Sequence, residues 1–199
     1  MQYPLIPTQF KGKQEDIVES KSWADEHQAQ LRYEILRKKL LHVNEWQYYA
    51  PELRVKFHLY DSQGKELAGF ISQNNYIRIS IPGPGNAAGQ GYDWVKVVNV
   101  EEQESPVPWL CITVHPTVPP NARHNTIAHF YTEKASNTFV VLCYGHSLYM
   151  EVRSRNLNVN DNEVSFKDKI RNKAIAWGGK VGLSGINWKK FAQAMMNHD

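Results

Sequence analysis

The sequence predicts an α+β fold: a curved antiparallel sheet, or a β-barrel, of about eight strands, with one helical segment before it and two helices after it. Three observations predict it. Apolar residues recur at intervals of three and four near both ends of the chain, and at intervals of two through its middle. Each strand-like run in the middle is followed by another strand-like run, with no crossover helix between them. Turn residues punctuate those runs.

Taken in order, residues 1–13 read as extended, and a helical segment is expected over 14–50. Ser22 is a candidate cap, with Asp25 three places on. Ala29, Tyr33, Leu36, Leu40 and Val43 form one apolar stripe. The β core is expected over 53–155. Leu53, Val55, Phe57 and Leu59 alternate with polar residues, and "DSQG" makes a turn at Asp61–Gly64. A short strand is expected over Glu66–Ile71, and another through Ile77, Ile79 and Ile81. "DWVKVVNV" follows the glycine-rich loop. "WLCITVH" is apolar on both faces, which suits a central strand. "TIAHFYT", "TFVVLCY" and "SLYMEVRS" complete the series. Gly145 and His146 join the last two, and glycine in the first central position suits a type II′ hairpin turn.

A C-terminal helix pair is expected over 165–198. Ser165 caps the first helix, Phe166, Ile170, Ala174 and Trp177 form its stripe, and Gly178 and Gly179 end it. Ser184 is the candidate cap of the second, whose buried side is Trp188, Phe191 and Met195. No linker and no fixed-period repeat divides the chain, so residues 1–199 read as one domain.

Composition narrows the function classes. Of 199 residues, 42% are hydrophobic and 12% aromatic, enough to build a core. The net charge of +3 is too small to argue for nucleic acid. The charge is uneven, however: Arg153–Lys190 holds nine Lys or Arg against three Asp or Glu. Cys111 and Cys143 lie in apolar runs and form neither a disulfide framework nor a zinc pattern, which suits reduced core thiols in a cytoplasmic protein. "MQYPLIPTQF" lacks the basic region of a signal peptide. "AIAWGGKVGLSG" is too short to span a bilayer.

The stretch "SIPGPGNAAGQGYDW" carries the first candidate site. Gly83, Gly85 and Ala88 match the letters of a dinucleotide fingerprint, but a strand follows where that motif needs a helix N-terminus. No lysine is present to grip a phosphate. Two roles remain for the loop: a structural connection, or a flap over a cavity. The candidate ligand-binding residues are therefore Gly83, Gly85, Asn86, Gly89, Tyr92 and Trp94, the last two as an aromatic wall. Arg153 and Arg155 share a strand face with Tyr149 and Glu151, and Arg78 and Lys96 could extend that face. Such a face either grips an anion or forms cross-strand ion pairs. No metal site and no cofactor are expected, since the histidines show no ligand spacing. An acid–base pair of Asp93 with His129 has no support in linear order.

These features best fit a soluble binding protein, leaning away from catalysis, that holds a small apolar or amphipathic ligand in or on its curved sheet. Trp94, Trp109, Phe130, Phe139 and Tyr144 are candidate lining residues. In element order alone the chain resembles helix-grip (START-like) and lipocalin-like architectures, and its additional terminal helices depart from both. The alternatives are an interaction module that meets an acidic protein or nucleic acid through the basic face and C-terminal segment, with nucleic acid not favoured, and an enzyme with a loop-gated pocket. A small anionic ligand is also compatible. Oligomeric state is not legible.

Overall fold

The computed structural model describes residues 6–83, 85–160 and 186–197. Among them seven strands form one antiparallel sheet: β1 (Lys13–Ser22), β2 (Lys56–Tyr60), β3 (Tyr76–Ser80), β4 (Asp93–Gln103), β5 (Trp109–Pro116), β6 (Ser136–Tyr144) and β7 (Ser147–Leu157). Their spatial order is β1-β7-β6-β5-β4-β3-β2. The chain thus meanders from β2 to β7 and then pairs with its own first strand. β5 lies at the centre, as a strand apolar on both faces should. β1 and β2 are the two edges, so the curved sheet stays open and the barrel alternative does not hold.

Among the described residues three α-helices follow from the same local rules. α1 (Glu26–Leu41) buries Ala29, Tyr33, Leu36 and Leu40, the stripe expected from spacing. α2 (Trp46–Tyr49) is one short turn, and α3 (Trp188–Asn197) buries Trp188, Phe191, Ala192 and Met195. α1, α2 and α3 all lie on the inner face of the sheet. Trp46 is the hub: its indole stands edge-on to Phe57 at 5.1 Å and to Phe191 at 5.1 Å, and lies 5.3 Å from Phe139. Its N–H donates to the carbonyls of Lys39 and Leu40, so the buried ring leaves no polar atom unpaired.

The two edges are protected differently. On β2, Asn44 Oδ1 accepts from the Leu59 N–H (2.8 Å) and Gln47 Oε1 from the Phe57 N–H (2.9 Å), so side chains replace the missing neighbour strand. On β1, charged residues such as Lys13, Glu15, Asp16 and Lys21 line the edge.

Several expectations change. Residues 14–22 form strand β1, not helix; its polar-rich sequence lacks a clear apolar alternation because an edge strand buries little. The cap of α1 is Asp25, whose Oδ1 accepts from the Gln28 N–H at 2.8 Å, not Ser22, whose Oγ meets Ser147 Oγ at 2.8 Å across the β1–β7 pair. Glu66–Ile71 contributes only the bridge Tyr60↔Glu66. "TIAHFYT" forms no ladder: Ala128 bonds to Thr117 and Trp94, and Tyr131 bridges to Val159. Hence seven strands stand where about eight were expected. The β6–β7 hairpin holds, with Gly145 at φ +56° and His146 outside the left-handed region, as a type II′ turn requires. The first C-terminal helix and Ser184 fall outside the described residues. The cap of α3 is Asn187, whose Oδ1 accepts from the Lys190 N–H.

Candidate functional site: a pocket on the concave face

Inward residues of the strands meet the start of α3 at one end of the sheet. There Phe57 of β2, Ile77 and Ile79 of β3, Asp93 and Val95 of β4, Val114 of β5, and Asn137 and Phe139 of β6 converge. Trp46, Ile81, His129, Ile186 and Trp188 complete the described lining. The enclosed space is only about 20 Å³, room for about one water, at the base of a wider opening of about 430 Å³ that includes open solvent. Its walls are largely apolar, with three polar side chains among them.

Those three differ in state. Asn137 Oδ1 accepts from Ser154 Oγ at 2.7 Å. Asp93 is buried and already engaged. His129 is 7% exposed, and its Nδ1 accepts from the Tyr131 N–H at 3.0 Å. That hydrogen bond assigns the proton of the neutral ring to Nε2. Burial lowers the imidazole from its ordinary 6.5 to about 4, because the charged ring would be desolvated there. The structure therefore does bring Asp93 and His129 to one pocket, which linear order could not show.

The residues singled out around the glycine-rich loop lie toward the opposite, convex face. Asp93 and Val95 point inward, so Trp94 points outward, where it packs with Tyr60 and Ala128. Ala88 and Tyr92 of the glycine-rich loop cover that cluster. The loop is stitched to itself: Gly89 and Gly91 donate to the Asn86 carbonyl, Tyr92 donates to the Gly89 carbonyl, and Asn86 Oδ1 accepts from the Gly89 N–H. Its glycines allow close approach. A Cβ on Gly85 would sit 2.1 Å from the Gly91 carbonyl oxygen, and one on Gly89 would sit 1.9 Å from that of Tyr92. Gly83 has φ +125°, a backbone angle that side chains disfavour. Asn86 is buried, and its Nδ2 has no partner among the described residues.

Arg153 and Arg155 lie on the outer face of β7 and are internally paired. Arg153 Nε donates to Glu151 Oε2 at 2.8 Å, and its Nη1 lies 3.3 Å from Asp16. Arg155 grips the same Asp16 through both terminal nitrogens. Asp16 is held below its ordinary carboxylate range: its partial burial pushes upward, but the hydrogen bond and charge of Arg155 and the charge of Arg153 outweigh that. Arg78 stands four strands away, on β3, 4.5 Å from the Tyr92 ring and 5.1 Å from that of Tyr60. Of the five aromatic candidates for a lining, Phe139 reaches the pocket. Trp94 and Trp109 belong to separate outer clusters, Phe130 to a third, and Tyr144 is exposed.

Cys111 and Cys143 are both buried and free, on opposite faces of the sheet, so they cannot pair. Burial raises the Cys111 thiol to about 12. Among the described residues no helix is long and apolar enough to cross a membrane.

No family model matches the chain, and no characterised sequence matches it. Solved structures similar to it include Ara h 8.0201, 10% identical, with 94% of this chain and 100% of that one covered and a TM-score of 0.38. A point mutant of Thalictrum flavum norcoclaurine synthase with a transition-state analogue is 11% identical, over 96% of this chain and 99% of that one, at a TM-score of 0.40. The same enzyme with dopamine and hydroxybenzaldehyde is 11% identical, over 100% and 99%, at 0.41. At these values the likeness carries nothing about the chemistry of this chain.

Proposed function

We propose that this protein binds a small apolar or amphipathic ligand on the concave side of its sheet, in the pocket between β2–β6 and the start of α3. One observation carries the reading. Among the described residues the largely packed inner face leaves a recess there, with apolar walls and a few converging polar groups. The test is calorimetric titration of the full chain with isopropylbenzene (cumene). Saturable binding with a negative heat-capacity change is expected. Ile79→Phe, which fills the recess without adding a polar atom, should weaken it at least about tenfold. Absent binding, or binding that Ile79→Phe leaves unchanged, contradicts the reading.

A second reading concerns the convex face, where the loop around Gly83–Trp94 would help hold a small anion. It is favoured by Arg78, which sits against Tyr60 and Tyr92, has a buried Nε without a partner, and makes no ion pair among the described residues. Titration with inorganic phosphate separates the two: saturable binding abolished by Arg78→Met supports this reading, and none at millimolar phosphate removes it.

A further inference from the structure

The pocket's polar end has an unused donor. Asn137 Oδ1 is taken by Ser154, and Asp93 is engaged. His129 spends Nδ1 on the Tyr131 amide, and its Nε2–H, which is not one of the closed-off buried polar atoms lacking a partner among the described residues, meets the solvent of the recess. The ring is more than nine-tenths buried and lines the recess. A ligand that displaces that solvent without offering an acceptor leaves the donor buried and unsatisfied, which is costly. A ligand that brings an acceptor avoids that cost, and one that brings only hydrocarbon does not. This asymmetry is how buried polar groups discriminate between ligands of similar shape.

The donor is also an uncharged one, since burial keeps the ring neutral down to about pH 4. A carboxylate, Asp93, lines the same recess. A neutral imidazole gives an anion no ionic partner, so an uncharged acceptor is the better match.

We propose that His129 Nε2–H marks the polar end of the pocket, and that the ligand is an uncharged amphipathic molecule whose single carbonyl or ether oxygen accepts from it while its apolar body lies on Phe57, Ile79 and Phe139. The inference rests on the concave-face binding reading and goes beyond it in naming the ligand's chemistry. Specificity then resides in one hydrogen bond, and affinity in the apolar walls.

The test compares two probes of nearly the same shape, acetophenone and cumene, titrated into the wild-type full chain and into His129→Phe at pH 7. Cumene partitions out of water more readily, so the quantity read is the acetophenone-to-cumene affinity ratio. That ratio should be about three- to tenfold higher in the wild type than in the variant. In ¹H–¹⁵N spectra of the wild type, the His129 Nε2 resonance should move with acetophenone and not with cumene. An equal ratio in the two proteins overturns the donor assignment and leaves the pocket reading standing. So does a wild-type Nε2 signal that fails to respond to acetophenone. Binding of neither probe overturns both. Should His129→Phe not fold, the wild-type ring signal decides alone.

Discussion

The glycine-rich loop on the convex face and the recess on the concave face differ in where their partners come from. The loop's partners are close by: Asn86, Gly89, Gly91 and Tyr92 bond to one another within a few residues, and only its aromatic underside reaches the sheet. The recess draws its partners from the whole chain, with Trp46 from α2, Asp93 from β4, His129 from an irregular stretch, Asn137 from β6 and Trp188 from α3. A locally satisfied segment announces itself in sequence because its residues are unusual. A site assembled from distant residues does not, because each residue looks ordinary where it stands. Conspicuous composition thus marked backbone packing here, whereas the better binding geometry lay among unremarkable strand residues.

Four substitutions or conditions sharpen that contrast, and the largest effect belongs to the concave side. Trp46→Ala should cost about 3–5 kcal/mol of unfolding free energy, since it removes the hub of three aromatic neighbours as well as one wall of the recess. Chemical denaturation measures it. A loss below about 1 kcal/mol would mean that this side of the sheet is not the core.

Acid should come next. The unfolded chain takes up a proton at His129 below about pH 6.5, while the folded chain does so only near pH 4. Protonation therefore favours unfolding. The stability linked to this ring is full above pH 6.5 and falls as the pH drops, by about 3 kcal/mol at pH 4. Denaturation midpoints of the wild type and His129→Gln across pH 4–7 isolate this contribution; parallel curves would mean that the ring is not buried and neutral.

On the convex side, Gly89→Ala should cost about 2 kcal/mol, because the added methyl meets the Tyr92 carbonyl and the backbone must shift. A free flap would tolerate it, so an unchanged melting temperature would restore the gate that the sequence allowed. The smallest effect should come from Asp16→Asn, which loosens Arg153 and Arg155 at the surface for about 1 kcal/mol or less. Double-mutant cycles with Arg155→Ala measure that coupling.

The meander, the central position of β5, the β6–β7 hairpin and the buried stripe of α1 were all legible, because each follows from a periodicity or a turn chemistry contained in one short segment. β1 was not. As an edge strand it exposes most of its charged side chains, and it pairs with β7 across more than a hundred residues. The stretch around His129 misled for a related reason: its apolar residues alternate, yet its backbone bonds are scattered over three different segments. Of the site, Phe139 could be anticipated as a wall. Asp93 and His129 could not be joined, because only the tertiary backbone bonds of Ala128 to Trp94 and Thr117 set that irregular stretch beside the start of β4.

Intermolecular nuclear Overhauser contacts between bound cumene and the methyl-labelled full chain test the concave-pocket claim most directly. Contacts to Ile77, Ile79, Val95 and Val114, with none to Ala88 or Ala128 on the convex side, are the predicted result. Contacts confined to the convex Tyr60–Trp94–Ala128 cluster, or no saturable contacts at all, would contradict it.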